Sequence, residues 1–160
     1  MSDGVLQSGN VTPGHLATWT TNGVIADGGP LIGASAVLAS LLSADFNTIA
    51  DQPIVIPASI TAFHLSAIYV TNASISLTTA AGGFYPQPAK VGTAIVAAGQ
   101  VYSALTASTI LLQPTIAGAG NNTRFSSVNL PNMAIYFALT TAQGAAAVAD
   151  IYIIGQNLTA

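Results

Sequence analysis

Charged side chains are almost missing from this sequence. Two bases, Lys90 and Arg124, and five acids, Asp3, Asp27, Asp45, Asp51 and Asp150, are all it carries in 160 residues, and glutamate does not occur. A soluble domain ordinarily has about 25% charged residues; here the share is 4%. A compact monomer of this length exposes about 7,400 Å², so each charge would serve about 1,000 Å² of surface. Interspersed charge is what normally resists association. Its scarcity points to a subunit that hides surface against copies of itself or a larger particle. Two scattered bases and a net charge of -3 also lack the clustered Lys and Arg footprint of a nucleic-acid surface.

Cysteine is absent, which removes disulfides, thiolate chemistry and Cys-based zinc sites. No long apolar run exists either. The nearest candidate, Val91 to Ile116, is broken by Gln100, Ser103, Thr106, Ser108, Thr109, Gln113 and Pro114. It falls short of the roughly 20 predominantly apolar residues of a spanning helix, and no membrane partner is expected. Met1-Ser2-Asp3-Gly4 has neither the basic segment nor the following apolar segment of a secretory leader.

Against these absences stands a 51% hydrophobic content, enough for one ordinary core without metals or cross-links. The chain divides into three parts: an arm over 1–30, a short linking segment over 31–52 and a body over 53–160. Thr12-Pro13-Gly14 and Thr21-Asn22-Gly23 are turn signals in the arm, the second between extended apolar pieces and therefore hairpin-like. In the linking segment Leu31, Val37, Leu38, Leu41, Leu42, Phe46 and Ile49 recur at three- and four-residue intervals, which predicts helix. Asp51-Gln52-Pro53 ends it, because proline disfavours helix in the residue before it.

Beyond Pro53 the pattern is β. Ile54-Val55-Ile56 is a short apolar strand, and Ile60 to Val70 sets Phe63, Leu65, Ala67 and Tyr69 against Ala62, His64, Ser66 and Ile68. Ala81-Gly82-Gly83, Tyr85-Pro86-Gln87-Pro88, Gly118 to Asn122 and Gln143-Gly144 mark turns, and Val148 to Leu158 reads as the last strand. The expected fold is mainly β: an antiparallel β-sandwich or jelly-roll body with an N-terminal extended arm and a short helical segment. One internal echo recurs. Ala67-Ile-Tyr-Val70 with Leu77-Thr-Thr-Ala80 returns as Ala134-Ile-Tyr-Phe137 with Leu139-Thr-Thr-Ala142, as matching strands of two facing sheets would.

The inventory for catalysis is thin. A nucleophilic site would have to recruit His15 or His64, and no Gly-x-Ser-x-Gly elbow occurs. His15 reads as a surface or interface residue beside Gly14, and His64 as a sheet histidine. Asp45 and Asp51 are the nearest thing to a paired-carboxylate site, but read more naturally as capping or solvated residues. Neither metal-ligand spacing nor a phosphate loop is present. The expectation is a non-enzyme with no catalytic residues, no metal and no cofactor. Tyr69, Tyr136 and Tyr152 read as packing residues within strands; Phe84-Tyr85 in a loop, with Asn121 and Asn122, is the candidate contact with a partner or glycan.

The arm Gly9-Asn-Val-Thr-Pro-Gly-His-Leu-Ala-Thr-Trp19 with Gly23-Val-Ile-Ala-Asp-Gly-Gly29 resembles a module near the N-termini of tailed-bacteriophage head-fibre and tail-fibre proteins. The segments Ser76 to Tyr85 and Leu139 to Ala146 are similar to small phage proteins encoded beside virion genes. The resemblance implies a virion component made in the bacterial cytoplasm, with the arm as attachment element through Trp19, Val24, Ile25 and Leu31. It implies a capsid decoration or head-fibre protein bound to itself as a homotrimer and to the major capsid protein or other virion proteins. The alternative is a tail or receptor-binding protein that contacts host surface glycan.

Overall fold

Strands alternate between two sheets along the body. The computed structural model describes residues 35–118 and 123–159 in full, and 6–7, 15–19 and 24–30 as backbone only. In the body, β4 (Ser35–Asp45), β6 (Ala62–Thr71), β8 (Arg124–Ser126) and β10 (Val148–Asn157) form one sheet, in the order β4-β10-β6-β8. The strands between them in sequence, β5 (Gln52–Val55), β7 (Ala81–Tyr85) and β9 (Ala134–Thr141), form the other, in the order β5-β9-β7. All pairings within both sheets are antiparallel. Each connection from β4 to β10 therefore crosses from one sheet to the other. Val96 and Val101 bridge the outer side of β7 antiparallel and so stand where an eighth strand would. This interleaved order is that of a jelly roll.

The arm supplies a separate three-stranded sheet. β1 (Leu6–Gln7) runs parallel to β3 (Val24–Pro30), and β2 (His15–Trp19) pairs antiparallel with β3, Trp19 opposite Ile25. That ladder is the hairpin which Thr21-Asn22-Gly23 predicts.

The helix expected over 31–52 is not found among its described residues; residues 35–45 are strand β4. The reason lies in two bulges. Ala44 and Leu41 of β4 oppose Ala149 and Ile151 of β10, and Ala39 and Val37 oppose Ile153 and Ile154, so β4 carries one extra residue at each place. Each extra residue stretches the two-residue alternation to three, and the inward residues Leu38, Leu41 and Ala44 come to sit at helical spacing. Ser43, with φ 54°, takes up the second bulge. Its N–H donates to Asp150 Oδ1 at 2.8 Å, and Asp150 Oδ2 accepts from Asn72 Nδ2 at 2.8 Å. Asn72 is itself left-handed at φ 55°, so one carboxylate holds two bends.

A third bulge corrects the reading of β6. Ile154 and Gly155 of β10 oppose Ala67 and Leu65, leaving Ser66 as an extra residue. Phe63 and Leu65 point into the core before it, Ile68 and Val70 after it, all four fully buried. Tyr69 is thereby turned to the outer face, opposite Tyr152 of β10. Both tyrosines, like Tyr136, are half-buried on outward faces rather than packed in the core.

Ala81-Gly82-Gly83, expected as a turn, is strand β7. A Cβ on Gly82 would lie less than 3.0 Å from Leu139 Cα of β9, and one on Gly83 less than 3.0 Å from the Val96 carbonyl. These glycines let backbones approach on both sides, a use that composition cannot separate from a turn.

The core between the sheets is one apolar cluster. Phe137 sits at its centre, with ring centroids 4.9 Å from Phe46, 5.2 Å from Phe84 and 6.0 Å from Tyr102. Phe63 stacks on Phe125 at 5.3 Å. Tyr102 is buried, and its hydroxyl donates to the Gly82 carbonyl at 3.3 Å. The echoed segments fall as expected in facing sheets, Ala67–Val70 in β6 and Ala134–Phe137 in β9. Their tails meet side by side: Gln143 Oε1 accepts from the Thr79 and Ala80 amides at 3.1 and 3.2 Å.

Candidate functional site

The two long sides of the sandwich are finished differently. On one, the stretch from Val96 to Ile116 runs across both sheets, bridging β7 through Val96 and Val101 and β6 through Leu112. Its amide groups satisfy strand edges there: Val70 and Leu112 exchange hydrogen bonds of 2.9 and 2.8 Å. On the other side β4 ends one sheet and β5 the other, and no further strand among the described residues pairs with either.

Exposed strand edges invite pairing with other chains unless bulges, proline or charge interrupt them. β4 has two bulges and β5 has Pro53. This side has charge at Asp45 and Asp51, at either end of the connecting loop. It carries four large exposed apolar side chains, Val37 at 58%, Leu42 at 62%, Ile49 at 60% and Val55 at 64%, all on β4, β5 or the loop between them. The bulges discourage open-ended strand addition and leave side chains as the means of contact. An apolar surface with irregular edges suits a specific partner better than a growing sheet.

The loop from Phe46 to Asp51 that joins the two edge strands is tightly held. The Gln52 side chain accepts from the Asp45 amide and donates to the Asp45 carbonyl, both at 2.7 Å. Asp45 Oδ1 accepts from the Asn47 amide at 2.7 Å, an Asx-turn, and Asp51 Oδ2 accepts from the Ala89 amide. Both carboxylates of the pair considered for catalysis thus bind main-chain N–H groups. His64 lies in β6 opposite Arg124 and Gln156, and His15 in β2, so the sheet order brings no acid beside either in register. Among the described residues no group of three or more His, Cys, Asp or Glu could hold a metal.

The partner-contact candidates divide. Phe84 is fully buried and Tyr85 4% exposed, both in β7. They belong to the core rather than to an exposed loop, because β7 is flanked by β9 on one side and by the Val96 bridge on the other. Burial raises the Tyr85 hydroxyl above its usual range, with a further push from Asp51. Asn121, Asn122 and Leu31 lie outside the described residues. Trp19, Val24 and Ile25 stand on β2 and β3, with Trp19 and Ile25 register partners.

Clefts open at the surface among the described residues. One of about 360 Å³ lies between the Pro86–Ile95 loop and the Thr123–Asn129 stretch; one of about 430 Å³, more apolar, lies between Val55–Thr61 and Ser127–Met133. Neither is lined by a charged residue among the described residues. The open edge and these clefts were beyond sequence reasoning, since both depend on which strands end the sheets. The legible signal was the lack of charge. No described helix is long and apolar enough to cross a membrane. Comparison with known proteins finds no matching family model, no similar curated protein and no similar solved structure.

Proposed function

We propose that this chain is a structural subunit of a multi-copy particle that works by binding, a tailed-bacteriophage capsid decoration or head-fibre protein of the kind its arm and body segments resemble. The observation that carries the reading is the open β4–β5 side, where four large apolar side chains stand exposed on a chain with two basic and five acidic residues. Full burial of such a side chain contributes about 1.5–3 kcal/mol, and each of these is already part-covered. A single contact is therefore modest. Repeated in a homotrimer on a lattice it becomes strong, because later contacts are intramolecular. The arm supplies a second contact through Trp19, Val24, Ile25 and Leu31 toward the shell or a sister subunit. The jelly-roll order agrees with this use, as an analogy of architecture only.

The test is the copy number of this chain in purified particles, by quantitative mass spectrometry against the major shell protein. A ratio near that of the shell protein supports decoration. A small fraction supports instead a vertex or tail protein that contacts host surface glycan, and absence from particles refutes both.

A further inference from the structure

We propose that the cleft between the Pro86–Ile95 loop and the Thr123–Asn129 stretch is a binding site for a neutral saccharide. The site stands independently of the assembly reading. Its volume of about 360 Å³ lies within the roughly 300–1,000 Å³ of ligand clefts. Its floor is apolar, from Pro86, Ile95 and Phe125, and its polar rim includes Gln87, Thr93 and Asn129.

These polar groups are not equivalent. Asn129 is spent on structure: its Oδ1 accepts from the Ser126 amide at 2.8 Å and its Nδ2 donates to the Arg124 carbonyl at 2.9 Å. That stiffens the β8 wall. The Gln87 amide and the Thr93 hydroxyl make no side-chain hydrogen bond to another described residue. They bring unused donors and acceptors to one cleft.

The opposite wall is held in a costly conformation. Ala89 and Lys90 are consecutive left-handed residues at φ 57° and 59°, followed by Gly92 at φ 88°. Non-glycine residues in this region cost about 1–2 kcal/mol each, and they persist where surrounding structure fixes them. The fixing groups are visible: the Ala89 amide donates to Asp51, and Lys90 Nζ donates to the Ile49 carbonyl at 3.4 Å. Gly92 packs against the Pro86 ring, where a Cβ would come within 2.8 Å of Pro86 Cγ. The cleft is thus preformed, which lowers the ordering cost of binding.

The chemistry selects the ligand class. A desolvated phosphate, carboxylate or ammonium would find no counter-charge among the described residues, since neither Lys90 nor Arg124 nor any described Asp lines the cleft. A neutral pyranose alternates C–H faces with hydroxyls that both donate and accept. It matches an apolar floor beneath side-chain amide and hydroxyl groups.

The full chain, labelled with ¹⁵N, would be titrated with maltotriose, cellotriose, mannotriose and triacetylchitotriose, and with trigalacturonate as the charged comparison. At least one neutral probe should give saturable amide shifts centred on Gln87, Thr93 and Thr123 to Asn129. Thr93→Ala with Gln87→Ala, which remove no internal hydrogen bond, should weaken that binding at least about tenfold, as loss of one or two hydrogen bonds implies. Retained spectra of the double variant away from the cleft exclude misfolding. Failure of every neutral probe to saturate, shifts centred elsewhere, equal affinity for trigalacturonate, or unchanged affinity in the double variant would each overturn the proposal.

Discussion

Replacing Gly155 with alanine adds one methyl group toward the C-terminal end of β10, a strand flanked on both sides in its sheet. Gly155 pairs with Ala36 of β4 and Leu65 of β6, directly beside the β6 bulge. The new Cβ would lie less than 3.0 Å from the His64 carbonyl oxygen and 2.7 Å from Leu38 Cδ1. The leucine methyl can rotate away. The carbonyl cannot, because it belongs to the backbone of the adjacent strand. Relief requires β6 and β10 to separate at the bulge, with loss of ladder geometry around it. Overpacking costs about 1–3 kcal/mol, and a backbone obstacle puts this site at about 3 kcal/mol. For a chain of this length each kcal/mol moves the melting temperature by about 2–4 °C, so Gly155→Ala should melt about 6–12 °C lower. Gly99→Ala is the matched control. Nothing lies within 4 Å of its added Cβ, and restricting the unfolded chain should stabilise it by about 0.4–1 kcal/mol. Differential scanning calorimetry of the full chain, with a rescan for reversibility, reads both. Equal melting of Gly155→Ala and the parent, or equal shifts in the two variants, would refute the close approach of β6 and β10.

Phe137→Ala removes the ring at the centre of the aromatic cluster and should cost about 3–5 kcal/mol, read from the urea midpoint at constant m-value. Asp150→Ala releases both the Ser43 bulge and the Asn72 bend; with the carboxylate part-exposed the expected loss is about 1–2 kcal/mol, and a neutral result would show that the bends hold themselves. Burial holds the Tyr102 hydroxyl well above its ordinary 10.0, with a smaller contribution from Tyr85. Above pH 10 the unfolded state therefore loses a proton that the folded state keeps, so stability is whole below pH 10 and falls as pH rises beyond it. Alkaline urea titrations should show this decline, and Tyr102→Phe should flatten it at the cost of about 1 kcal/mol near neutrality. Val37→Lys with Leu42→Lys should leave the fold intact, since both are exposed, and shift native mass spectra of the full chain from oligomer toward monomer; an unchanged distribution would remove the β4 side from self-association.

What the sequence determined by itself was the class of structure and the kind of surface. Composition placed the chain among mainly β proteins, because Thr, Val, Ile and Tyr in short runs between Gly, Pro and Asn turns suit strands. The scarcity of charge was visible without any coordinates, and so was the echo that places equivalent strands in facing sheets. Tertiary structure decided the rest, for one recurring physical reason. Periodicity reports which way side chains point only while each residue advances the strand by one step, and a bulge breaks that count. Two bulges gave β4 the spacing of a helix, a third turned Tyr69 outward, and close backbone packing made a strand of Gly82-Gly83, with Phe84 and Tyr85 drawn into the core beside them. Which strands end the sheets, and so where Val37, Leu42, Ile49 and Val55 stand open, follows from pairing across distant parts of the chain. No local pattern contains it.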